Sequence, residues 1–251
     1  MKLTFNASKS ANSFRGMLWA YKYLKDYPKL LRYISIPIII NLFIFPSLSW
    51  GTYILSSQIS KELLSKLPHL SYLEINIFQF TSLIATILLV IEIFISLSMI
   101  INGPIYRALK NTILKDKGLV IKSRGGFIQF ILNIMKELRF ETQKLTIYFS
   151  IFLLSSILNI FPIIGSKIFV VINIIVFIIL NGLTIFGPCF YQQKSNFKNN
   201  SEKILKSPLT IWPHIFVSGV MNSIPLLNII TLPLSTLGGI LIYIEYIYED
   251  N

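Results

Sequence analysis

The stretches Asn159-Ile160-Phe161-Pro162-Ile163-Ile164-Gly165 and Asn222-Ser223-Ile224-Pro225-Leu226-Leu227-Asn228 interrupt two apolar segments with the same short pattern. Proline removes a backbone donor and blocks helix continuation, while Gly165 and Asn228 tolerate the left-handed backbone that ends a helix. We therefore predict that each apolar pair folds back on itself as a helical hairpin, over 145–186 and 208–245. The flanks of both hairpins are polar and mostly basic, so we expect all four ends on one side of a bilayer.

Composition assigns the chain to the integral membrane proteins. Its 251 residues have a mean hydropathy of +0.65, with 53% hydrophobic and 14% charged residues. A soluble chain could not hide this much apolar surface with so few charges outside. We predict an all-α fold forming one membrane domain over residues 1–251. The single cysteine, Cys189, excludes an intrachain disulfide and a cysteine metal cage.

The net charge of +12 points to a lipid surface, because the basic residues flank apolar runs. Of the 23 Lys and Arg residues, 9 lie in 104–144, 7 in 1–33, 4 in 191–207 and 2 in 57–74. The heavily basic segments predict a cytoplasmic N-terminus, with 57–74 outside. No nucleic-acid partner is expected. The first apolar run follows a basic stretch without a small-residue cleavage site, so no signal peptide is expected.

Two long apolar runs predict transmembrane helices over 33–56 and 77–101. Pro37, Asn41 and Pro46 interrupt the first run, and the second is expected to end at Gly103-Pro104 with Glu92 near its middle. A carboxylate in mid-membrane costs ~2.5 to 3.5 kcal/mol on insertion scales. Glu92 is therefore expected to be protonated, ion-paired or hydrated. The favoured alternatives are a structural contact with a residue such as Asn41 and a role linked to proton transfer.

Amphipathic segments flank these spans. Helical spacing over residues 10–30 predicts a helix on the membrane surface. The cationic segment 104–144 predicts two cytoplasmic helices, divided by Gly118 and by Gly125-Gly126. In the second hairpin, Pro213 leaves about ten uninterrupted residues in the first arm, ~15 Å of helix, so partial penetration is expected. In the first hairpin, an arm of 17 residues is at the lower edge of a full span.

The order of landmarks resembles the bacterial CysZ family of sulfate permeases and the related etoposide-induced membrane proteins. Tyr27-Pro28-Lys29-Leu30-Leu31-Arg32, followed by Ile36-Pro37-Ile38-Ile39-Ile40-Asn41, is similar to the family's Pro-Gly-x-Arg-Arg segment and its Pro-x-x-x-Asn first span. Other matching landmarks are Gly103-Pro104, Ile134-Met135-Lys136-Glu137-Leu138-Arg139 and the two hairpin signatures. Of the arginine pair only the second position is kept, as Arg32, and Tyr106 replaces an asparagine.

The resemblance implies two long spans, two partially penetrating hairpins and a homo-oligomer that passes sulfate toward cysteine synthesis. Arg32, assisted by Lys29, is the candidate substrate-binding residue, because a guanidinium binds tetrahedral oxyanions with a fork of donors. The alternative is an interfacial anchor whose charge reaches the headgroups. Asn41 and Pro104, which interrupt the long spans, are further pore candidates.

The hairpin tips offer helix N-termini, whose unpaired N–H groups attract anions. Ser166, with Lys167 beside it, and Asn228 are candidate N-caps there, and the alternative is that they only finish tight turns. His69 and His214 are isolated, so neither a metal site nor a catalytic constellation is expected, and no cofactor is implied. Two functions besides an anion permease stay open: a non-transporting membrane scaffold and an ion-coupled transporter.

Overall fold

The computed structural model describes residues 15–65, 72–119, 127–160, 164–190, 208–224 and 226–248, and these ranges are almost entirely helical, with no strand. The all-α prediction is confirmed. The helices are α1 (Gly16–Asp26), α2 (Leu31–Ser65), α3 (Tyr72–Asp116), α4 (Phe127–Ser156), α5 (Ile164–Phe190), α6 (Pro208–Asn222) and α7 (Leu227–Tyr243). The predicted bend prolines, Pro162 and Pro225, and the predicted segment 191–207 lie outside the described residues.

The two long helices exceed the length that a bilayer requires. Helix α2 has 35 residues and α3 has 45, which correspond to about 52 and 68 Å. The expectation that the second span ends at Gly103-Pro104 is wrong, because α3 continues through Pro104 to Asp116. A proline inside a helix removes one backbone hydrogen bond. The packing of α3 on α2, α4 and α5 stabilises this helix despite the missing hydrogen bond.

Gly118 ends α3, as the sequence indicated. Its φ of 72° lies in the left-handed region, the Gly118 amide donates to the Lys115 carbonyl at 3.0 Å, and the Leu119 amide donates to the Leu114 carbonyl at 2.9 Å. This is the Schellman arrangement, which satisfies the last carbonyls of a helix.

The predicted boundary between a cytoplasmic helix ending at 144 and a hairpin arm starting at 145 is absent. Helix α4 runs without a break from Phe127 to Ser156.

Consecutive helices pack against each other in two pairs, at the places where the sequence predicts hairpins. Helix α4 packs on α5, and α6 packs on α7. Polar side chains tie each pair together: Asn173 donates to Ser155 Oγ at 3.1 Å in the first hairpin, and Thr231 donates to Asn222 Oδ1 at 2.6 Å in the second. Such bonds between helices contribute about 0.6 kcal/mol each in membrane proteins.

The hairpin tips differ in detail from the prediction. Leu226, with a φ of 67°, is the left-handed residue before α7, whereas Asn228 is the second residue of that helix and Gly165 lies within α5. Neither Ser166 nor Asn228 caps a helix. The predicted break at Pro213 is also wrong, because α6 continues through it for 15 residues, about 22 Å.

Within the described ranges, four helices are long and apolar enough to cross a membrane: Pro28–Gly51, Thr86–Asp116, Ile164–Cys189 and Leu227–Tyr246. They include the second arm of each hairpin. The last is 78% buried inside the protein, compared with 28% for the first, so α7 is the central helix. Helix α1 packs on α7 through Gly16, Ala20 and Leu24, and a Cβ on Gly238 would lie 2.7 Å from the Gly16 carbonyl oxygen.

Candidate functional site

One face of α3 carries the polar residues that the fold buries. Glu92, Ser96, Gly103, Arg107 and Lys110 follow one another at helical spacing, and each is buried. Residues three or four apart share a helix face, so these side chains form a stripe directed at α4 and α5. The predicted partner of Glu92, Asn41, faces another part of α3: Asn41 Oδ1 accepts from Ser98 at 2.7 Å and from Asn102 at 3.2 Å.

The upper part of this stripe is a charged cluster around Lys144, formed with Glu92, Glu141 and Thr184. Lys144 Nζ lies 3.1 Å from Glu92 Oε1 and 2.7 Å from Glu141 Oε2, and it donates to Thr184 Oγ1 at 2.6 Å. Lys144 and Glu92 are completely buried. The three charges sum to −1, and burial raises the pKa of Glu141 despite the adjacent ammonium. Glu92 is thus paired, with Lys144 rather than Asn41.

The lower part of the stripe contains a second ion pair. Arg107 Nη2 lies 3.2 Å from Glu137 Oε1 of α4, and both side chains are buried. Gly103 makes room for this carboxylate, because a Cβ at that position would overlap the Glu137 carboxyl group. Burial raises the pKa of Glu137 to about 8, with Arg107 opposing and Glu141 reinforcing the shift.

Lys110 and Tyr106 lie next to that ion pair on α3. Lys110 is 1% exposed, and it makes no ion pair or hydrogen bond within the described part of the chain. Its ammonium lies near the Arg107 guanidinium and near the thiol of Cys189 on α5. Tyr106 is fully buried, and its hydroxyl has no hydrogen-bond partner among the described residues. The Lys110 ammonium and the Tyr106 hydroxyl are thus buried beside Arg107, and neither has a hydrogen-bond partner in the described part of the chain.

Polar groups also line the first hairpin from its tip to its base. Ser166, Asn173 and Thr184 of α5 are buried at intervals along the helix, and Tyr148 of α4 lies between the last two levels. The hydroxyl groups of Ser166 and Tyr148 have no hydrogen-bond partner. From Ser166 to Thr184 the helix rises about 27 Å, close to the ~30 Å of a hydrocarbon core. The α3–α4–α5 interface therefore offers a polar track of membrane thickness.

The two predicted substrate-binding residues lie at the entry to α2. Lys29 Nζ forms an ion pair with Asp116 at 2.8 Å, and its side chain is 59% exposed. Arg32 is exposed: Nη2 donates to Tyr33 Oη at 3.1 Å, and the guanidinium carbon lies 4.8 Å from the Tyr33 ring centroid. Neither residue contacts the buried stripe. The ion pair of Lys29 with Asp116 connects the residues before α2 to the end of α3. Arg32 has further guanidinium N–H donors at the surface besides the one bonded to Tyr33.

The other candidates are dispersed. Pro104 is half-buried and follows Gly103 in α3, whereas Asn41 belongs to the separate cluster with Ser98 and Asn102. Lys167 is exposed at the start of α5. Asn228 is fully buried at the start of α7, and neither of its amide atoms has a partner. The structure does not bring these residues together into one site.

Most of the buried charges come from the segment 104–144, which the sequence predicts to form two cytoplasmic helices. This segment contains Arg107, Lys110, Glu137 and Lys144, and the fold buries all four. The signal that could have found them is spacing: Glu92, Gly103 and Arg107 fall on one helical face if α3 continues past Pro104. Among the described residues, no group of three His, Cys, Asp or Glu side chains could hold a metal ion.

A sequence model of the family described as "Sulfate transporter CysZ/Etoposide-induced protein 2.4" matches residues 17–233. The match includes α2 to α6 and the charged stripe of α3. The chain belongs to this CysZ/etoposide-induced protein family. The family is a transporter-type membrane family, not an enzymatic one. No curated protein matches the chain.

Proposed function

We propose that the protein is an inner-membrane channel or permease for sulfate or a similar small oxyanion, acting as a homo-oligomer and supplying sulfate for cysteine synthesis. The observation that carries this proposal is the family match over residues 17–233. The four apolar helices fit a multi-pass protein. The polar track along α3, α4 and α5 supplies the partners that a solute needs on leaving water, since an isolated ion in lipid has none.

In this proposal Arg32 selects the anion at the cytoplasmic mouth, with Lys29 adding positive charge. Arg32 is exposed at the start of α2 and has donors besides the one used by Tyr33. A guanidinium binds two oxygens of a tetrahedral oxyanion at once, whereas an ammonium acts as a point charge. Lys29 contributes less, because Asp116 already neutralises it at 2.8 Å.

The test is uptake of labelled sulfate by the purified protein in liposomes, with empty liposomes as the blank. Catalysed flux is expected, and its absence in correctly folded protein would favour the scaffold alternative. Arg32→Lys is expected to reduce flux by about tenfold, the value of one charge-assisted hydrogen bond. The matched control is Arg139→Lys at an exposed position of α4. Equal flux in both variants would return Arg32 to the role of a membrane anchor.

A second candidate function, ion-coupled transport, draws on the charged cluster around Lys144. Its excess negative charge is buried, and burial raises the pKa of Glu141, so proton binding there is less costly than at the surface. Coupled transport predicts that an imposed proton gradient drives sulfate accumulation and that Glu92→Gln removes the drive. Flux that follows only the sulfate gradient would identify a channel.

A further inference from the structure

We propose that Tyr106, Arg107 and Lys110 form an internal oxyanion-binding site on α3, separate from the surface arginine of the mouth. This inference rests on the proposed transport function and adds to it a specific binding step inside the protein. The site would accept a small tetrahedral oxyanion such as sulfate. The three side chains are buried; Arg107 and Lys110 belong to the stripe that faces α4 and α5, and Tyr106 lies beside them on α3.

Helix geometry places the three groups within reach of one anion. At 100° per residue, Lys110 is rotated by about 40° from Tyr106, and Arg107 by about 100°, so all three occupy one side of α3. Side chains three or four residues apart on a helix are separated by about 5 to 6 Å at Cβ. The Arg107 and Lys110 charges interact, which places their ends in the same region.

Charge balance supplies the reason for a ligand. Arg107 and Lys110 carry two positive charges, and Glu137 offers one carboxylate, which pairs with Arg107 at 3.2 Å. Lys110 has no ion pair in the described part of the chain. A buried charge is costly unless it is paired. An oxyanion bound beside Lys110 supplies the negative charge that this ammonium lacks.

The hydroxyl of Tyr106 is the independent observation. It is fully buried, and no described residue hydrogen-bonds to it, although most buried polar groups in native structures have a partner. A phenol can donate one hydrogen bond to an anion oxygen, and the Lys110 ammonium can donate up to three. Together with Arg107 they supply the donors that a dehydrated oxyanion requires.

The experiment measures binding of labelled sulfate to the purified full-length protein in nanodiscs, together with thermal stability. Lys110→Met keeps the length of the side chain and removes its charge, and we expect it to weaken sulfate binding by about tenfold or more. Tyr106→Phe removes only one oxygen, and a three- to tenfold loss is expected. Lys136→Met, at an exposed position of α4, is the charge-matched control and should bind as the unaltered protein does.

Stability separates a ligand-binding role from a structural one. Because Lys110 is a buried cation without an ion pair, Lys110→Met should unfold at the same or a higher temperature than the unaltered protein in the absence of sulfate. Sulfate should then raise the unfolding temperature of the unaltered protein but not that of the variant. A variant that is less stable yet binds sulfate normally would overturn the internal site.

The outcomes distinguish a failure of the transport function from a failure of the internal site alone. If the unaltered protein neither binds nor carries sulfate, the proposed function fails, and the internal site fails with it. If it does both, and Lys110→Met and Tyr106→Phe match the control in affinity, only the internal site is refuted. If Lys110→Met does not fold, the affinity of Tyr106→Phe decides the matter.

Discussion

Replacement of Lys144 by methionine tests whether the buried charged cluster holds the α3–α4–α5 interface together. The ammonium contacts Glu92 at 3.1 Å, Glu141 at 2.7 Å and Thr184 at 2.6 Å, with no solvent access. Lys144→Met preserves much of the side-chain volume but leaves two carboxylates without their cation. Removal of one partner from a buried ion pair costs about 3 to 5 kcal/mol. We expect the lower end of that range, because an orphaned carboxyl can take up a proton.

The assay is the free energy of unfolding in mixed micelles, followed by tryptophan fluorescence. Lys136→Met, on the exposed face of the same helix, is the control and should change the free energy by no more than ~0.5 kcal/mol. The combined variant Lys144→Met, Glu92→Gln, Glu141→Gln removes all three charges, and it should recover at least half of the loss. Similar stabilities for Lys144→Met and Lys136→Met would refute the structural role of the cluster.

The pH dependence gives a second check on Lys144→Met. An orphaned carboxyl has a folded-state pKa above its unfolded value of about 4.3. The penalty is therefore absent well below pH ~4 and grows as the pH rises toward the folded-state pKa, because the folded protein then binds more protons than the unfolded chain. The stability deficit of the variant should be smaller at pH 5 than at pH 8. A deficit that is independent of pH would mean that lost packing, rather than charge, causes it.

Three further predictions follow from other positions. Gly103→Ala should destabilise the protein by about 1 to 3 kcal/mol because its Cβ overlaps the carboxylate that α4 places there, whereas Gly51→Ala, with nothing within 4 Å, should be neutral or stabilising in the same unfolding assay. Leu226→Gly should stabilise the second hairpin by up to about 1 kcal/mol, since glycine adopts a φ of 67° without strain; a loss of stability would contradict this. In a cysteine-free background, an impermeant thiol reagent added outside should label a cysteine at position 66 and not one at position 115, and the reverse pattern would invert the proposed orientation.

The class of the protein could be predicted because it depends on overall composition. So few charges beside so much apolar surface require a membrane fold, and a chain of this kind spans lipid as helices. The lengths of the elements were less predictable. Pro104 and Pro213 resemble the bend prolines in sequence, yet α3 and α6 continue through them. Tertiary packing decides whether a helix tolerates the lost hydrogen bond, and sequence spacing does not report that packing.

The buried charges could not be predicted from charge counts. The segment 104–144 is strongly basic, and the positive-inside rule treats its residues as one cytoplasmic set. In the structure Arg107, Lys110 and Lys144 are buried, while Lys136 and Arg139 remain exposed. The difference depends on which face of each helix meets its neighbour, and that is fixed only when α3, α4 and α5 assemble.

The two halves of the buried stripe have opposite charge, and this constrains any anion route along it. Near Arg107 and Lys110 the charge is positive even when Glu137 is ionised, whereas the cluster around Lys144 sums to −1. An anion is attracted to the first region and repelled from the second while both carboxylates there are ionised. An oxyanion that follows the stripe beyond Arg107 therefore needs a proton on Glu92 or Glu141. Flux through variants with glutamine at these positions, compared across pH, distinguishes a route through the cluster from one that bypasses it.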